Sequence, residues 1–97
     1  MARRPETTRD SAETLAIQAL SFLAEDPERL SRFLAFSGIE AQSLRDAARE
    51  PNFLLGVLDH VAADERLLTD FASQNELTPE VVIRARDLLA GEPPATP

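Results

Sequence analysis

The chain has no cysteine, tryptophan, tyrosine or lysine, one histidine and three glycines in 97 residues. Without cysteine there is no disulfide framework, zinc knuckle or thiol nucleophile, and the chain suits a reducing compartment. Without tyrosine and tryptophan the commonest interface anchors are missing, so any binding hot spot falls to phenylalanine, leucine or arginine. A long apolar run is absent as well. The longest uncharged stretch, Thr14 to Ala24, has eleven residues, about half of what a membrane-spanning helix needs. Arg3 and Arg4 do not make an export signal, because Glu6, Asp10 and Glu13 interrupt the approach to an apolar segment that lacks a convincing cleavage site. A cytoplasmic protein without a membrane segment is the simplest reading.

Seventeen acidic residues stand against ten basic ones, all arginine, for a net charge of -7. Such a field repels polyphosphate and anionic lipid and puts nucleic acid at a disadvantage as a partner. At 43% hydrophobic residues the chain makes one small domain, near the size at which a single core suffices without disulfides or metal.

Start and stop signals divide the chain into a mobile segment over 1–9, a single helical domain over 10–91 and a mobile Pro-rich tail over 92–97. Six helices are expected. The first opens at Asp10 or Ser11, with Glu13 completing a capping box, and buries Leu15, Ile17, Leu20, Phe22, Leu23 and Ala24. Asp26-Pro27-Glu28 opens the second, over 27–37. There a carboxylate accepts free amide protons, proline presets φ, and a second acid meets the positive helix end. Leu30, Phe33 and Leu34 form its stripe, Glu28 and Arg32 an i,i+4 pair, and Gly38 the left-handed residue that ends it. A third helix over 41–49 presents Ala41, Leu44, Ala47 and Ala48 and stops before Pro51. Pro51 begins the fourth, in which Phe53, Leu54, Leu55, Val57, Leu58, Val61 and Ala62 cover nearly the whole circumference. Asp64 caps the fifth, which turns Leu67, Leu68, Phe71 and Ala72 inward and ends near Asn75, a residue tolerant of the left-handed conformation. Thr78-Pro79-Glu80 opens the sixth, which buries Val81, Val82, Ala85, Leu88 and Leu89, pairs Glu80 with Arg84 and stops at Gly91.

A shift of thirty-eight positions lays residues 14–50 on 52–88 without a gap. Leu20, Ala24, Asp26, Leu30, Phe33 and Ala47 meet identical residues, and apolar classes match at matching helical phases elsewhere. The expected fold is therefore all-α, a compact bundle of about six short helices built from two similar three-helix halves, 14–50 and 52–88, packed around helices one and four. The halves differ where Phe22 becomes His60, Leu34 becomes Ala72, Phe36 becomes Gln74 and Gly38 becomes Glu76, and function is to be sought there.

The acid pairs Glu25-Asp26 and Asp64-Glu65 stand at matching helix starts, where a carboxylate has a capping task, and no calcium loop surrounds them. Helices 27–37 and 41–49 superficially resemble a helix-turn-helix, yet the second offers Glu40, Asp46 and Glu50 against Arg45 and Arg49 and so gives phosphate no net attraction. Asp59 and His60 suggest a proton acceptor beside a carboxylate, or a small-ligand pocket, but no motif brings a nucleophile to them. The surplus apolar face of helix four admits either internal cover or another chain. Gly56, mid-helix at a cost of roughly 1 kcal/mol relative to alanine, reads as a point of close helix approach. Phe36, outside the main stripe of helix two, is either a contact point or a cover for the junction with helix three.

The string from Phe22 through Asp26-Pro27, Phe33-Leu34 and Gly38-Ile39, followed by Leu44-Arg45, Pro51 and Val57-Leu58, resembles a small bacterial family catalogued as domain of unknown function 3572. That resemblance runs from about residue 11 to 91 and implies a compact all-helical domain. It carries over no catalytic or binding residue. The function expected is that of a small non-catalytic protein-interaction or regulatory module, with Phe36, Leu54, Leu55 and Gly56 as the candidate surface, another protein or a second copy as partner, and no cofactor or metal. The alternatives are a helix-turn-helix-like nucleic-acid binder and a small-ligand or enzymatic domain near Asp59 and His60.

Overall fold

A computed structural model of the protein describes residues 8–91, and the mobile ends expected over 1–9 and 92–97 fall outside them except for Thr8 and Arg9, which cap and begin the first helix. Six α-helices and no strand occur among the described residues: α1 (Arg9–Ala24), α2 (Pro27–Ser37), a 3-10 turn (Ala41–Ser43) running into α3 (Leu44–Ala47), α4 (Pro51–Ala63), α5 (Glu65–Gln74) and α6 (Pro79–Leu89). Helices α1, α4 and α6 pack on one another, α5 lies against α4 and α6, and α2 lies against α1 and α4. The core they enclose is wholly apolar: no polar residue among those described is buried.

Most boundaries follow from capping chemistry. Asp26 Oδ1 accepts the Glu28 amide at 2.9 Å, and Asp64 Oδ1 accepts those of Arg66 at 2.9 Å and Leu67 at 3.2 Å. Thr78 Oγ1 accepts from Val81 at 3.3 Å ahead of Pro79. These bonds satisfy amides that have no partner inside their own helix. At α1 the structure differs from expectation. The capping box is Thr8 with Ser11, whose hydroxyl accepts the Thr8 amide at 2.7 Å, so the helix begins at Arg9 and not at Asp10 or Ser11. Glu13 lies two residues too far along to reach back to that cap.

The buried face of α1 differs too. It consists of Ala12, Leu15, Ala16, Ala19, Phe22 and Leu23, whereas Ile17 is 47% exposed, Ala24 is exposed and Leu20 is half-buried. The observed set is an unbroken i,i+3/i+4 ladder, and its three alanines let α1 approach α4 and α6 closely. Weighting by residue size favours Ile17 over those alanines, although it stands off the ladder.

The third helix is much shorter than expected over 41–49. Only Leu44–Ala47 is α-helical, Ala41 is exposed, and Leu44, Ala47 and Ala48 are half-buried. Neither Glu40 nor Ser43 supplies a side-chain cap, so the segment lacks both the hydrogen bond and the apolar stripe that sustain its counterpart α6. The ion pairs also differ from the i,i+4 expectation: Arg29 approaches Asp26 at 3.9 Å, and Arg86 approaches Asp59 at 3.7 Å and Asp87 at 2.9 Å.

Helix α2 ends at Gly38, with φ +77° and its amide donating to the Leu34 carbonyl at 2.9 Å. After α5 the left-handed residue is Glu76, with φ +55°, and not Asn75. The Asn75 side chain donates instead to the Phe71 carbonyl at 3.0 Å, and the chain turns one residue later through a Leu77 amide bond to Ala72 at 2.7 Å. A residue with a Cβ pays about 1 kcal/mol for that conformation. Glu76→Gly should accordingly raise unfolding stability by up to about 1 kcal/mol. Gly38→Ala, whose Cβ would meet nothing within 4 Å, should lower it by about 1 kcal/mol through backbone strain alone. Denaturant melts followed by circular dichroism measure both, and changes of the same sign at the two turns would overturn the strain account.

Candidate functional site

The end of α2, the second half of α4 and the last turn of α6 meet at a groove of about 410 Å³. Gly56, Asp59, His60 and Ala63 lie on one side of α4 at spacings of three, four and seven, Phe36 reaches in from the last turn of α2, and Arg86 comes from α6. Asp64, the cap of α5, closes one end.

His60 is held between two phenyl rings. Phe33, buried in the core, meets it edge-on at 5.2 Å between centroids, and Phe36 lies tilted on it at 5.9 Å. Phe36 is itself 82% exposed. It therefore does not cover the junction with α3, and its ring contributes an apolar ledge at the mouth of the groove. Burial lowers the His60 pKa below its ordinary 6.5, and the Asp64 carboxylate opposes that shift. Arg86 is held by Asp59 and Asp87.

The region related to this groove by the thirty-eight-residue shift is built differently. There Phe22 is buried against Phe71 at 5.5 Å, the same pairing of α1 with α5 that His60 and Phe33 make between α4 and α2. The Arg29 guanidinium lies over the Phe22 ring at 4.3 Å, and Gln74 donates to both Glu25 oxygens at 3.0 and 3.2 Å. In the groove the counterparts of Glu25 and Gln74 are Ala63 and Phe36, so no such bridge closes it. A second cleft, between the first turns of α2 and α5, is lined by Asp26, Glu28, Arg29 and Arg32 and by their four counterparts thirty-eight residues on.

Of the residues expected to form an interaction surface, Phe36 and Gly56 are brought together in the groove. Leu54 is not: it is 3% exposed and turned into the core between α4 and its neighbours. Leu55 is half-buried and packs on that core. The expected close approach at Gly56 is also absent. A Cβ there would meet nothing within 4 Å, so the missing side chain leaves the groove open instead of admitting a helix. Asp59 and His60 both face the groove, but Asp59 is engaged by Arg86, and the lining holds no hydroxyl or thiol among the described residues. The second helix of the helix-turn-helix reading is reduced to a 3-10 turn and one α-turn. No motif distinguishes Ala63, Asp64 and Arg86 as lining residues in the sequence; the only signal is the thirty-eight-residue shift, which sets Ala63 against Glu25 and Arg86 against Ala48.

His60 is the only histidine, so its titration is read without ambiguity. By NMR it should titrate below 6.5, and Phe36→Ala, by exposing the ring to water, should raise its pKa. Because the folded state binds this proton less readily than the unfolded chain, the His60 contribution to stability is complete above pH 6.5 and declines as pH falls through the folded value. A His60 pKa above 6.5 would overturn that sign.

No helix among the described residues is long and apolar enough to cross a membrane, and no group of three or more metal-ligating side chains gathers among them. No curated protein and no solved structure matches the chain. A family model described as protein of unknown function (DUF3572) matches residues 9–92, which takes in all six helices. The all-helical bundle with its groove on α4 thus belongs to the DUF3572 family, to which no activity is assigned.

Proposed function

We propose that the protein is a small non-catalytic interaction module of the cytoplasm that docks another protein chain in the groove between α2, α4 and α6. The observation that carries this reading is Phe36, a phenyl ring 82% exposed on the rim of an open groove while every other phenylalanine is buried. Covering such a ring is worth roughly 1.5–3 kcal/mol, which the isolated molecule leaves unused. The ring rests on His60, which rests on buried Phe33, so an aromatic anchor is held ready at little entropic cost to binding. Against an enzymatic reading stands the lack of a hydroxyl or thiol nucleophile in the lining among the described residues. Against nucleic acid stand the single-turn α3 and the net charge of -7.

Phe36→Glu should abolish association with the partner while changing stability by no more than about 0.5 kcal/mol, as befits an exposed position. Photo-crosslinking from position 36, with exposed Gln18 as control, identifies what docks, and light scattering with refractive-index detection gives the stoichiometry. Association that survives Phe36→Glu would overturn the proposal.

A further inference from the structure

We infer that the groove receives an arginine side chain from a basic segment of its partner. This rests on the docking reading above and adds the chemistry of what docks. The molecule contains a covered version of the same position. Phe22 stands thirty-eight residues before His60, and over its ring lies the Arg29 guanidinium at 4.3 Å, with Arg29 Nε 3.9 Å from the Asp26 carboxylate. A planar guanidinium gains both from the aromatic face and from the acid beside it, which an ammonium does less well.

In the groove two of those three parts recur. The rings of His60 and Phe36 supply the aromatic surface, and Asp64, the counterpart of Asp26, supplies the carboxylate. The third is replaced: Leu67 stands where Arg29 stands in the first half. The Glu25–Gln74 bridge gives way to Ala63 and Phe36, and Gly56 adds open space. Arg86, the groove's own cation, is held by Asp59 and Asp87. Two lining carboxylates against one arginine, on a chain of net charge -7, attract a cationic segment.

The full chain would be titrated by NMR with three blocked pentapeptides, Ac-Ala-Leu-Xaa-Leu-Ala-amide, in which Xaa is arginine, lysine or glutamine. The arginine peptide should shift the ring signals of His60 and Phe36 and bind about tenfold more tightly than the glutamine peptide, with lysine between them. Asp64→Asn keeps a good helix cap while removing the charge, so it should weaken the arginine peptide about fivefold and leave the glutamine peptide unchanged. Equal binding of the arginine and glutamine peptides would overturn the arginine assignment and leave the docking face standing. Absence of ring shifts with all three peptides at millimolar concentration would overturn both. A concentration-dependent dimer dissolved by Phe36→Glu, and not by the arginine peptide, would make a second copy the occupant and likewise overturn the assignment.

Discussion

Helix α4 carries apolar side chains around most of its circumference, and a helix of that kind loses free energy on every side that water can reach. The bundle is arranged around that constraint. Helices α1, α2, α5 and α6 all touch α4, and Phe53, Leu54, Val57, Leu58 and Val61 disappear into the space between them. Only α3 takes no substantial part in this cover, and it is the helix that shrinks to one turn.

Cover of α4 is incomplete on the side that carries Leu55, Gly56, Asp59, His60 and Ala63. Apart from Leu55, which packs on the core with part of its surface, the residues there have little apolar area to protect, so leaving them accessible costs little. The exposed Phe36 at the rim is the exception. A large ring left outside the apolar core adds little to folding stability where it stands, and beside an open groove it makes this side the place where binding is best sought.

The two positions thirty-eight residues apart, Phe22 and His60, solve one problem in two ways. At Phe22 the core ring is sealed by Arg29 and by the Glu25–Gln74 bridge, and at His60 the equivalent positions carry Leu67, Ala63 and Phe36. The first arrangement completes itself within the chain. The second exposes an aromatic ledge and a capping carboxylate together, and each is also in use structurally: Asp64 starts α5, and His60 packs on Phe33. Binding chemistry built from such residues is hard to separate from folding by mutation, which is why asparagine at a cap position and exposed Phe36 are the useful probes.

Helix starts at Pro27, Glu65 and Pro79 were legible in the sequence because a cap acts over two to four residues, and Asp26, Asp64 and Thr78 satisfy amides within that reach; Pro51, which has no side-chain cap before it, was legible as a first-turn proline. The all-helical class and the central place of α4 followed from apolar periodicity for the same local reason. Tertiary structure decided the rest. It turned Leu54 inward and left Gly56 open, selected the alanine ladder of α1 over Ile17, moved the left-handed turn from Asn75 to Glu76, and joined Phe36, His60 and Arg86 from three helices into one groove. A helix that is apolar all round does not carry in its own sequence which side its neighbours will leave uncovered; that is settled only when the neighbours pack against it.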